Sequence, residues 1–76
     1  EPKLALDGGN DGLDVIKKVI YKSKEILKIN GTLALEIGNG QYKKVSKILL
    51  RNRFIIREKV IDYNDNIRCL ISKLNR

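Results

Sequence analysis

The sequence predicts an α/β fold in the order helix, strand, helix, strand, turn, strand. Three observations carry this expectation. Between Leu13 and Lys28 the apolar and charged residues sort onto opposite sides at helical spacing. Thr32-Leu33-Ala34-Leu35-Glu36-Ile37-Gly38 is a short apolar run bounded by Asn30-Gly31 and Gly38-Asn39-Gly40, which reads as a strand covered on both faces. Phe54–Asp62 and Ile67–Leu74 are two further apolar runs flanking Asn64-Asp65-Asn66, the pattern of an antiparallel hairpin.

Seventy-six residues allow one small domain or part of a larger one. A chain this short buries only roughly 60% of its unfolded surface. No apolar run approaches the ~20 residues of a membrane span, and nothing resembles a signal peptide. Cys69 is the single cysteine and histidine is absent. An intrachain disulfide is therefore excluded, no Cys/His metal set exists, and a reducing, cytoplasmic setting fits.

The segment Glu1 to Gly12 contains Pro2, three glycines and three acidic residues, so it reads as a loop. Asp7-Gly8-Gly9-Asn10-Asp11-Gly12 either re-aims the chain into a helix or contacts a ligand; the composition is the same for both. Asp11 is placed to cap the first helix, with Asp14 in its first turn. Leu13, Val15, Ile16, Val19, Ile20, Ser23, Ile26 and Leu27 fall on the buried side. Asn30-Gly31 supplies the left-handed stop. The second helix is expected to open after Gly40 and run to about Asn52 on a stripe of Tyr42, Val45, Ile48, Leu49 and Asn52, with Leu50 off it. In the strand that follows, Phe54, Ile56 and Val60 share one face, which Glu58 interrupts.

A doubly covered strand preceded by a crossover-like helix requires a parallel neighbour upstream. The sequence offers none, so the chain reads as the carboxyl-terminal part of a larger α/β domain. Residues 1–12 form its loop and 13–76 its helix–strand–helix–hairpin. The edge left open invites self-association.

Glu36-Ile37-Gly38-Asn39-Gly40 is the sharpest local signal. A strand leading through G-x-G into a helix is the geometry of dinucleotide and S-adenosylmethionine loops. Here Lys43 stands where the third glycine belongs, and Asp62 ends a strand somewhat beyond the expected acidic position, so a plain strand-to-helix turn is favoured. Glu36 itself lies where open α/β sheets meet ligands. The net charge of +7 comes from 11 Lys and 5 Arg against 9 acidic residues. Most of the lysines fall on the polar faces of two helices and few aromatics accompany them. Solvated faces are favoured over a nucleic-acid site. No Ser/His/Asp or Cys/His constellation is present, so no catalytic residue is assigned within these residues.

Taken together, Glu1-Pro2-Lys3-Leu4-Ala5-Leu6-Asp7-Gly8-Gly9-Asn10-Asp11-Gly12-Leu13 and Leu35-Glu36-Ile37-Gly38 with Gln41 resemble the carboxyl-terminal third of the HemK/PrmC family of release-factor glutamine methyltransferases. In that family an E-P-x-x-A-L-x-G-G-x-D-G-L loop follows an N-P-P-Y motif, and a strand ending L-E-I-G has Gln three residues on. Asn64-Asp65-Asn66 departs from the family's glycine- and arginine-containing turn.

The resemblance implies a Rossmann-like, S-adenosylmethionine-dependent fold of seven strands, the last antiparallel. Thr32–Gly38 would be the fifth strand, Phe54–Asp62 the sixth and Ile67–Leu74 the seventh, lying between the other two. It implies methylation of the glutamine in the Gly-Gly-Gln tip of peptide-chain release factors. It places Glu1, Pro2, Asp7, Gly8, Gly9, Asp11 and Gly12 beside the protein substrate, with Glu36 as a switch-point carboxylate. The family's glycine-rich cofactor loop and N-P-P-Y have no counterpart here, so these 76 residues alone are expected to bind no cofactor and to be inactive. The alternative is a small basic module that binds RNA or the ribosome without catalysis.

Overall fold

The computed structural model describes residues 13–75. Helix α1 runs Leu13–Ile26, strand β1 Thr32–Glu36, helix α2 Tyr42–Arg51, strand β2 Phe54–Ile61 and strand β3 Ile67–Leu74. The element order is the expected one. The strands form an antiparallel sheet in the order β1-β3-β2, with Leu35 opposite Leu70 and Phe54 opposite Leu74.

Both helices pack on one face of this sheet. Ile16 and Ile20 of α1 and Val45, Ile48 and Leu49 of α2 join Leu35, Ile37, Phe54, Leu70 and Leu74 in a single buried cluster. Each such side chain contributes ~1.5–3 kcal/mol on burial, so this cluster is the main source of stability. The helix stripe is narrower than the periodicity suggests. Val19 and Ile26, expected on the buried side, flank the contact and do not join the cluster, and Ile26 is 70% exposed.

Helix α1 also ends sooner than Lys28. The Leu27 N–H still donates to the Ser23 carbonyl at 2.9 Å, and Asn30 then takes the left-handed conformation at φ 69. Gly31 is required by close approach, because a Cβ there would lie 2.8 Å from the Lys28 carbonyl oxygen. Helix α2 begins at Tyr42, and Leu50, off its stripe, is 60% exposed. It stops through Asn52 and Arg53, the latter at φ 70. The cap expected at Asp11 lies outside the described residues.

Strand β1 departs from the expectation of cover on both faces. Leu35 is buried and Leu33 half-buried, whereas Thr32, Ala34 and Glu36 are exposed. The helical layer covers only the face to which Leu33, Leu35 and Ile37 point. Among the described residues nothing pairs with the other edge of β1.

Two bulges shape the rest of the sheet. Ile56 pairs with Ser72 and Glu58 with Ile71, leaving Arg57 as an extra residue in β2. The extra residue reverses the facing of everything after it. Val60, expected on the face of Phe54 and Ile56, therefore pairs with half-buried Cys69 on the outer face and is exposed. Glu58 does not interrupt the buried face, because it too lies outside. In β3, Cys69 opposes Val60 and Ile67 opposes Ile61, which makes Arg68 the second extra residue.

Candidate functional site

The carboxyl end of β1 is where the expected signals meet described structure. The Ile37 N–H donates to the Arg68 carbonyl at 3.0 Å, extending the ladder one residue beyond β1. The chain then turns through Gly38, Asn39, Gly40 and Gln41, closed by the Gln41 N–H on the Gly38 carbonyl at 3.2 Å. Gly40 holds φ 78 at the third position, where a type II turn favours glycine.

The Gly38 N–H donates to Gln41 Oε1 at 2.7 Å. An amide so engaged is not available to a ligand phosphate or carboxylate. The turn is thus a strand-to-helix connection that launches α2, with Gln41 completing it through the Gly38 amide.

Around this turn the structure assembles a polar group that the sequence did not advertise. Arg68, re-aimed by its bulge, donates from Nη1 to Asn39 Oδ1 at 3.0 Å. Its Nε lies 3.5 Å from Asp62 Oδ2. Asp62 Oδ1 accepts the backbone N–H groups of Asn64 and Asn66 at 2.8 and 3.0 Å. These contacts, the Asn66 amide foremost, then the Asn64 amide and the Arg68 charge, hold the Asp62 carboxyl below its ordinary pKa. Asp62, weighed above as a ribose-binding acid, is committed instead to the β2–β3 turn, in which Asp65 adopts φ 63.

Glu36 stands exposed on the outer face opposite Cys69 and makes no hydrogen bond or ion pair among the described residues. It is accessible but not joined to the Arg68 group. On the helix side, the Lys59 ammonium lies 4.9 Å from the centroid of the Tyr42 ring. Lys59, with the Ser46 hydroxyl next in effect, lowers the Tyr42 phenol pKa. The remaining expected site residues, Glu1, Pro2, Asp7, Gly8, Gly9, Asp11 and Gly12, lie outside the described residues.

No described helix is long and apolar enough to cross a membrane. No family model matches the chain, and no solved structure matches it. Curated proteins do. The chain is 47% identical over 73 residues, 96% of its length, to a release factor glutamine methyltransferase of Fusobacterium nucleatum, of which this covers 21%. It is 41% identical over 63 residues to the release factor glutamine methyltransferase of Clostridium acetobutylicum, covering 83% of the chain and 22% of the relative. A ribosomal protein uL3 glutamine methyltransferase of Francisella tularensis is 50% identical over 42 residues, 55% of the chain and 13% of that protein.

These relatives are all protein glutamine methyltransferases by name, which sets the class. Within it, the chain is homologous to the carboxyl-terminal segment of the release factor glutamine methyltransferases, the HemK/PrmC family, and as a segment it belongs with them. The chain spans about a fifth of the length of the release factor methyltransferases named here.

Proposed function

We propose that this chain is the carboxyl-terminal part of an S-adenosylmethionine-dependent enzyme that methylates a glutamine side-chain amide. The substrate is the Gly-Gly-Gln motif of peptide-chain release factors, and the setting is the cytoplasm. The observation that carries this reading is the 47% identity extending over 96% of the chain. On this reading β1, β2 and β3 are the fifth, sixth and seventh strands of a Rossmann-like sheet. The order β1-β3-β2, with β3 antiparallel to both neighbours, is what that arrangement requires.

Glu1, Pro2, Asp7, Gly8, Gly9, Asp11 and Gly12 flank the release-factor peptide, and Glu36 faces the switch point from the strand end. S-adenosylmethionine supplies the methyl group when bound. The Gly38 amide is taken by Gln41, which supports the reading that cofactor binding falls to other parts of the enzyme.

The test is a longer polypeptide from the same gene, containing these residues, incubated with S-adenosylmethionine and a purified release factor. Mass spectrometry should find one added methyl group on the glutamine of Gly-Gly-Gln. Methylation elsewhere, or none, overturns the substrate assignment. The 76-residue chain titrated alone with S-adenosylmethionine should give no calorimetric binding; micromolar affinity would overturn the division of labour. Gly8→Val with Gly9→Val in the longer enzyme should raise KM for release factor more than KM for S-adenosylmethionine.

A further inference from the structure

Arg68 holds the carboxyl end of β1 by two separate contacts. Its carbonyl accepts the Ile37 N–H at 3.0 Å, and its side chain donates from Nη1 to Asn39 Oδ1 at 3.0 Å. We propose that Arg68 is a positioning residue for the protein substrate, acting through Asn39 to fix the strand end that carries Glu36. That role rests on the methyltransferase reading above, and it is carried by contacts within the chain, not by a surface left open.

The bulge makes the double hold possible. With Cys69 opposite Val60 and Ile67 opposite Ile61, Arg68 has no register partner in β2. Its carbonyl serves β1, and its guanidinium reaches the turn beyond that strand. The guanidinium is itself aimed. Nε lies 3.5 Å from Asp62 Oδ2, while Asp62 Oδ1 is held by the Asn64 and Asn66 N–H groups at 2.8 and 3.0 Å. Two different nitrogens of one planar group thus meet acceptors on two connections, which a single lysine ammonium does not reproduce.

Between Glu36 and α2 the chain keeps little freedom. Ile37 is fixed by the Arg68 carbonyl, Gly38 by Gln41 Oε1 at 2.7 Å and Asn39 by the Arg68 side chain. Gln41 belongs to the turn itself, whereas Arg68 ties the turn to a different strand. Open α/β sheets meet their ligands beyond the carboxyl ends of the strands, so a shift here moves Glu36 and the turn against what is bound there. The protein substrate is favoured over the cofactor as the group affected, because the Gly38 amide is already engaged by Gln41.

The test measures kcat and both KM values in the longer enzyme from the same gene, varying release factor and S-adenosylmethionine in turn. Arg68→Ala and Asn39→Ala should each raise KM for release factor at least about fivefold, with kcat and KM for S-adenosylmethionine changed less than about twofold. The double variant should be no worse than either single one, since both remove the same contact. Asn39→Asp keeps an oxygen opposite the guanidinium and should stay close to the unsubstituted enzyme, whereas Arg68→Lys should not restore KM. Lys59→Ala removes an exposed contact on the helix side, that with the Tyr42 ring, and should leave KM for release factor unchanged. Additive losses, an equal rise in both KM values, or the same loss from Lys59→Ala would overturn the role of Arg68 while the methyltransferase reading stands. An unsubstituted enzyme that leaves release factor unmethylated would overturn that reading and this role together.

Discussion

Arg68 reaches across 29 positions of sequence to Asn39, its Nη1 3.0 Å from the Asn39 Oδ1. The contact ties the bulge in β3 to the turn that launches α2, and through Asp62 it also reaches the β2–β3 turn. One exposed side chain thus links the two connections at this end of the sheet. Because Arg68 is half exposed, its ion pair with Asp62 is screened and contributes little.

Arg68→Ala is therefore expected to lower stability by only about 0.5–1 kcal/mol, measured by urea unfolding. Its local effect should be larger. Hydrogen exchange at Gly38 and Gln41 should accelerate, since the turn loses its tether to β3. Unchanged exchange at both amides would mean that the Gln41 side chain alone holds the turn.

Asp62 sets an acid limit. Its folded pKa lies below the ordinary value of 3.8, so the folded state binds the proton less readily than the unfolded chain does. The resulting stabilisation is fully present above that ordinary value and is lost as pH falls through the depressed folded pKa. Asp62→Asn should flatten the dependence of stability on pH below 3.8 and leave the neutral range nearly free of pH dependence from this position. An unchanged acid slope in the variant would assign the effect to other carboxylates.

Ser72 breaks the apolar lining of β3 between Leu70 and Leu74. It is fully buried, pairs in register with Leu33 and Ile56, and its hydroxyl has no hydrogen-bond partner among the described residues. A buried hydroxyl without a partner costs about 1–3 kcal/mol. Ser72→Ala should accordingly stabilise the chain by about 1 kcal/mol, an increase readable as a shift of several degrees in Tm for a domain this size. Destabilisation would show that the hydroxyl is satisfied by water.

What the sequence made legible follows from where its signals are local. The period of Ile16, Ile20 and Ser23 and the punctuation at Asn30-Gly31 are short-range, and they located the helices and turns to within two residues. The exposure of Val60 was not legible. It depends on the extra residue at Arg57, and a bulge leaves no mark in the alternation until the register of the partner strand is known. The Arg68–Asn39–Asp62 group stayed hidden for the same reason, being brought together by a second bulge and a long-range contact. Glu36 was correctly placed at the strand end, whereas its exposure on the outer face followed from helices covering one face only.

The open edge of β1 gives the last expectation. Thr32, Ala34 and Glu36 are exposed, and among the described residues only β3 pairs with this strand. A strand edge with free backbone groups is a template for pairing with a second copy. Sedimentation velocity of the 76-residue chain should therefore show concentration-dependent association. Ala34→Lys places a charge in the middle of the exposed face and should shift the equilibrium toward monomer without loss of helicity, because Ala34 takes no part in the buried cluster. A clean monomer at high concentration would mean that the edge is covered.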